Sequence, residues 1–250
     1  MHQMDIDMSP KPEETTRWRA SGSYLLRLAS KTSLIEESRQ FLLAFARLGD
    51  IETTRQALVN GGLPQRSRPT RVTILEIVQI RLTRWHPPAW VLEDLIAFAQ
   101  DGHQAELLAA LLLHTARQDN LLYDIIQQII GPRCFAGERE LIRADVQRFL
   151  DSAQANHPEV MGWSHATREK LSSNVLTTLR NFGLLQGKAT RQIVEPIVPP
   201  AVVQHLIGLL QEEGVPAEQV AYHTDWQLWL WDAARAQKAI DMFNLQERVV

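Results

Sequence analysis

Between Ser164 and Phe182 the chain gathers Lys170, Ser173, Asn174, Thr177, Arg180 and Asn181 at spacings that share one side of an α-helix. Small hydroxyl and amide side chains can approach base edges and hydrogen-bond to them, and cations can neutralise phosphates, so the chemistry on offer is binding in a DNA groove. Leu171, Val175, Leu179 and Phe182 recur on the opposite side at the spacing that seats a helix on a core. Arg168 near the head of this helix, and Lys188 and Arg191 beyond its tail, add positive charge for phosphates. A second cluster, Arg66, Arg68, Thr70 and Arg71, stands at the start of another helix, where free N–H groups also favour phosphate. An ordinary solvated face fits both patterns as well.

Catalytic chemistry finds less support. The chain has no HExxH, paired CxxC, GxSxG or P-loop. His103 and His114 stand eleven residues apart without a carboxylate at ligand spacing, and read as core or surface histidines. Adjacent acids such as Glu36-Glu37, Glu93-Asp94 and Glu212-Glu213 point about 100° apart on a helix, which disfavours a shared catalytic site. The expectation is therefore a protein without catalytic residues, metal or cofactor. Trp226, Trp229 and Trp231 could stack bases, but such a cluster more often clamps a terminal helix to the body.

The elements that must position these residues are helical. With 250 residues, 45% hydrophobic and 22% charged, the chain can bury a core as one large domain or two smaller ones. Apolar runs such as Leu107 to Leu113 fall short of the roughly 20 residues a membrane span needs. No secretory leader opens the chain, and the single cysteine, Cys134, allows no internal disulfide, so a cytoplasmic protein is expected. The net charge of −3 hides two basic stretches. Residues 51–84 hold six basic residues against two acidic ones, and residues 164–191 hold five against one. Positive patches on an acidic body steer a polyanion to particular surfaces.

Residues 1–16 read as a mobile tail, 17–137 as a helical region with a first helix-turn-helix, and 138–250 as a helical region with a second, winged one. Ser33 with Glu36 predicts a capping box for a helix that stops at Gly49. Ile51 to Asn60 forms a short helix ended by Gly61-Gly62, followed by a basic turn and a helix from Thr70 to about Trp85. That second helix is apolar almost all round, which predicts burial on several sides and leaves its N-terminal end for DNA. Helices over 89–100, 104–118 and 120–130, the last closed by Gly131-Pro132, form the centre. A helix over 138–156 precedes the one capped by Ser164, and Gly183-Leu184 predicts a left-handed terminus. Gln186–Lys188 and Arg191–Val194 could form a small β-ribbon, a wing. Helices over 201–213 and from Asp232 to about Leu245 complete an all-α fold.

The order of several segments resembles the BrxA family of BREX (bacteriophage exclusion) defence systems over about Ser21 to Ile240. The likeness rests on Ser33-Leu-Ile-Glu-Glu-Ser-Arg39, on Arg66 to Leu82, on Asp145-Val-Gln-Arg-Phe149, and on Trp163-Ser-His-Ala-Thr-Arg168 running into Thr178-Leu-Arg-Asn-Phe-Gly-Leu-Leu185. Ile193 to Pro199 and Asp225 to Trp231 extend it. The resemblance implies an all-helical protein with two helix-turn-helix units, double-stranded DNA as partner, and an accessory part in phage restriction or host DNA methylation. It also implies other BREX proteins, the methyltransferase and ATPase components, as partners. The helical core is similar to that of NusB antitermination factors too, which makes RNA an alternative ligand, and an adaptor that docks defence proteins is a further alternative. Family members have often been labelled as membrane proteins; this sequence implies none, and a monomer is the working expectation.

Overall fold

Every residue from Ala109 to Asp119 is buried, because the helix that carries most of them is surrounded. A helix with apolar residues on all sides can bury them only at the centre of a bundle. In this computed structural model the described residues are 19–188 and 191–247, with side chains up to Met242. The expected tail over 1–16 lies outside them.

The chain opens with α1 (Arg27–Ser30), α2 (Ile35–Leu48) and α3 (Ile51–Ala57), which widens into a π turn over Leu58–Gly62. Then come α4 (Arg68–Leu82), α5 (Ala89–Phe98) and the central helix α6 (Gln104–Arg117). After α7 (Asn120–Ile125) a second π turn over Ile126–Ile130 leads without a break into α8 (Gly131–Phe135). The strand β1 (Glu140–Leu141), helix α9 (Arg143–Ala153), helix α10 (His165–Asn181) and strands β2 (Leu185–Gln186) and β3 (Arg191–Ile193) follow. Last are α11 (Pro200–Glu212), α12 (Ala217–Val220) and α13 (Ala233–Glu247), with a 3-10 turn over Thr224–Trp229 between the final two. α6 touches α2, α4, α5, α7 and α11, and the buried apolar side chains form one cluster from Tyr24 to Ala236. The fold is thus mainly helical with one small three-stranded sheet, as the periodicity predicts.

Three expectations need correction. Ser33 does not cap α2: its hydroxyl accepts from Asn181 Nδ2 at 2.9 Å, and the cap position passes to Leu34 in the left-handed region, φ 53°. Gly131-Pro132 does not close the helix begun at Asn120. There Gly131 N–H reaches back to the Ile126 carbonyl, and this wider turn shifts the register so that Pro132 enters a fresh first turn, where its missing donor is tolerated. The helix expected over 138–156 starts only at Arg143, because Glu140 and Leu141 pair with β3 and the Asp145 carboxylate accepts from Ile142 N–H at 2.8 Å.

Several charged and polar groups inside the bundle are matched, although Thr178 Oγ1 and Trp231 Nε1 are buried without a partner among the described residues. Arg117, whose side chain is 1% exposed, donates to Asp225 at 2.8 Å and also pairs with Glu213. Arg19 adds bonds of 2.6 and 2.7 Å to the same Asp225, and so ties the beginning of the described chain to its far end. His114 and His205 meet at 2.9 Å through their Nε2 atoms, and His205 Nδ1 lies 2.7 Å from Asp94. Trp226, Trp229 and Trp231 are buried with ring centroids about 6 Å apart, and the Trp229 and Trp226 indoles donate to the carbonyls of Ala109 and Val220. They clamp the end of the chain onto α6, and their faces are closed to bases.

Candidate nucleic-acid interface

α10 begins where Ser164 accepts from Thr167 N–H through its hydroxyl at 3.2 Å. Leu171, Val175, Leu179 and Phe182 face the core, as their spacing predicts. The helix ends with Gly183 at φ 81° and a bond of 2.9 Å from Leu184 N–H to the Leu179 carbonyl, with both leucines buried. Immediately beyond, β2 and β3 form an antiparallel pair with Leu185 opposite Ile193 and Gln186 opposite Gln192. β1 joins the other edge of β3, so the order is β1-β3-β2. α9 packs on α10, and β2 leaves from the end of α10. The ribbon tip at 189–190 lies outside the described residues.

The expected binding face of α10 divides in two. Asn174 does not look outward: its amide donates to the carbonyls of Leu28 and Ala29 at 2.9 and 3.1 Å, because α1 lies along that flank. Asn181 is held by Ser33. What stays open is a strip of Lys170 and Arg180, exposed, with Ser173 and Thr177 half-buried between them. The Thr177 hydroxyl donates back to the Ser173 carbonyl at 2.9 Å. Arg168 is also committed internally, to Asp151 at 2.6 Å and to the Val160 carbonyl at 2.9 Å. Lys188 stands exposed at the start of the ribbon turn, and Arg191 is half-buried at its base. Lys170, Arg180, Lys188 and Arg191 have no ion pair among the described residues.

The first cluster divides similarly. Arg66 and Arg68 are exposed, and neither has an ion pair among the described residues. Arg71 ties the turn together, donating to the carbonyls of Val59 at 2.6 Å and Arg66 at 3.0 Å and also to that of Gln65. These are carbonyls that the end of α3 and the loop would otherwise leave unmatched. Thr70 is half-buried; its hydroxyl accepts from Ser67, whose own oxygen caps α4 by accepting from Thr70 N–H at 3.2 Å. α4 itself is buried along Ile74, Leu75, Ile77, Val78 and Leu82, as its all-round apolar pattern predicts.

Other cations were not assigned to a site from the sequence. Arg133 holds Asp145 through two bonds of 2.8 and 2.9 Å, and Arg148 shares the same carboxylate. Burial alone would raise the Asp145 carboxyl, but the Ile142 N–H and the arginines outweigh it and hold it below the ordinary range. Lys31 and Arg84 flank the place where Arg81 and Asn181 bond the Thr32–Ser33 turn. Both sit outside the polar face of a helix, so periodicity gave no signal for them. Among the described residues no group of three or more His, Cys, Asp or Glu could hold a metal ion, and no helix is long and apolar enough to cross a membrane.

Fold and surface together define a helical protein in which a small sheet braces one partly open, cation-bearing helix. The family model BrxA matches residues 22–208, most of the chain, and the chain belongs to the BrxA family. A relative from Bacillus cereus (strain H3081.97), described as "BREX protein BrxA", is 26% identical over 122 residues. That match covers 48% of this chain and 60% of the relative, less than two thirds of its length. The crystal structure of an uncharacterized protein from Magnetospirillum magneticum superposes with a TM-score of 0.63 at 19% identity, covering 84% of this chain and all of that one. This likeness is one of fold.

Proposed function

We propose that the chain is a non-catalytic, duplex-DNA-binding component of a BREX phage-defence system, acting in the cytoplasm beside that system's catalytic proteins. Membership of the BrxA family and the name of the Bacillus cereus relative support the BREX assignment. The succession α8, β1, α9, α10, β2, β3 with strand order β1-β3-β2 supports a winged helix-turn-helix reading, in which α10 would be the recognition helix. The observation that carries the DNA reading is the strip of Lys170 and Arg180 continued by Lys188, all exposed and free of carboxylate partners among the described residues. Arg66 and Arg68 supply a second contact surface.

With Asn174 turned inward, the strip offers charge and two short hydroxyl side chains, so phosphate contacts dominate over base readout. Binding then falls steeply with salt, by about 0.9 log units of affinity per log unit of salt for each phosphate contact. Fluorescence anisotropy of a 20-bp duplex across a KCl series tests this. A folded Lys170→Gln/Lys188→Gln variant is expected to bind more weakly and with a slope about two units shallower. Equal affinity and slope for variant and parent would refute the interface.

The adaptor reading has its own observation. Leu25, Leu26 and Met161 are 44%, 38% and 61% exposed, and the Tyr24 N–H bond to Glu159 brings their segments together. Co-purification with BREX proteins that survives nuclease and high salt, by protein that ignores DNA, would favour it.

A further inference from the structure

We infer that Lys31, Arg84 and Arg180 form a cationic seam joining the two basic surfaces, so that one DNA duplex lies across both at once. The inference rests on the DNA-binding reading and adds the geometry of the bound duplex.

The seam follows from where two helices end. Arg81, in the last turn of α4, donates to the carbonyls of Ser33 at 2.7 Å and Thr32 at 2.9 Å. Asn181, the last residue of α10, donates to the Ser33 hydroxyl at 2.9 Å. The C-terminal ends of α4 and α10 therefore converge on a single turn. Lys31 immediately precedes that turn, Arg84 lies two residues past the end of α4, and Arg180 is the penultimate residue of α10. Arg84 and Arg180 are exposed and Lys31 is half-buried. None of the three has an ion pair or side-chain hydrogen bond among the described residues.

Helix dipoles do not account for so much charge. Two helix C-termini carry roughly −0.5 each. Arg81 is already there, buried, still charged at neutral pH with its guanidinium pulled down to about 10 by burial, and Asp119 lies near enough to act on it. If Asp119 balances Arg81, three cations face about one negative unit, and the excess is available to a polyanion.

Helix lengths set the scale of the path. From Lys170 to Asn181 the helix advances about 16 Å, and from Arg68 to Leu82 about 21 Å, at 1.5 Å per residue. Arms of this length meeting at Ser33 keep the outermost cations within reach of roughly one turn of DNA, about 34 Å. Two independent surfaces would instead leave the middle of that path without charge.

Duplexes of 8 bp and 20 bp titrated against the full chain test the seam, with stoichiometry read by analytical ultracentrifugation. One 20-bp duplex per protein is expected, held at least tenfold more tightly than the 8-bp duplex. A Lys31→Gln/Arg84→Gln/Arg180→Gln variant is expected to lose at least tenfold in affinity and about two to three units of salt slope. If its melting shows that it does not fold, Lys31→Gln/Arg84→Gln, with both changes outside the helices, carries the test with a loss of about threefold or more. Two 20-bp duplexes per protein would overturn the inference. So would seam variants that bind like the parent while Arg66→Gln/Arg68→Gln weakens binding. Failure of the parent to bind any duplex at low salt would remove the DNA reading itself, a result distinct from either.

Discussion

Asp225 is the most consequential carboxylate in the fold, and replacing it by Asn gives a prediction that can be worked through. Its side chain is wholly buried and takes four donors: two from Arg19 at 2.6 and 2.7 Å, one from Arg117 at 2.8 Å, and the Tyr123 hydroxyl at 3.0 Å. Burial alone would raise its carboxyl, but the Arg117 and Arg19 guanidiniums outweigh that and hold it below the ordinary carboxylate range. Asp225→Asn keeps the shape and removes the charge, leaving Arg117 buried with Glu213 as its remaining carboxylate. Removing one member of a buried pair costs about 3–5 kcal/mol. At about 2–4 °C per kcal/mol for a chain of this size, the melting temperature should fall by roughly 6–20 °C. The pH dependence has a definite sign. A carboxyl whose folded pKa lies below its unfolded value contributes stability above the unfolded value, near 3.9, and loses it as pH falls through the folded one. The gap between parent and variant, measured by urea denaturation, should be full at pH 7 and shrink once pH drops below about 4. A variant melting within about 2 °C of the parent, or a gap that stays constant as pH falls through the acid range, would refute this account.

Three further variants separate structural from interfacial residues. Arg71→Ala removes bonds to three carbonyls and should cost about 2 kcal/mol by chemical denaturation, whereas Arg66→Gln/Arg68→Gln should melt with the parent and weaken duplex binding. Asn174→Ala should cost about 1–2 kcal/mol through its lost bonds to the α1 carbonyls and leave duplex affinity within about twofold; a tenfold loss of affinity at unchanged stability would return Asn174 to the interface.

Local signals were legible in the sequence. The start and stop of α10 were set by Ser164 and Gly183 and its core side by an i, i+4 stripe; the ribbon was readable around Gly187, but its first strand is Leu185–Gln186 rather than Gln186–Lys188. The tryptophan clamp was readable too, since large rings close together rarely stay exposed. What the sequence hid was remote in chain but near in space. Asn174 meets carbonyls some 145 residues away, and Ser33 gives its hydroxyl to Asn181 rather than to its own helix. A local capping pattern has no knowledge of such a competitor. β1 is two residues long and has no alternation to detect. Arg19, Arg117, Glu213 and Asp225 are ordinary surface residue types whose burial emerges only from the packing of the N-terminal segment against the end of the chain.

The unbroken passage from Asn120 to Phe135 sets a mechanical limit. One rod of backbone begins beside α6 and finishes next to β1, with no flexible joint at Gly131-Pro132. A swivel of the α9–α10 unit relative to the bundle has no hinge inside that rod; along this connection the first break is the turn over residues 136–139. Under the proposed DNA reading, any adjustment along this connection falls on that turn, while the span from Asn120 to Phe135 keeps a fixed length.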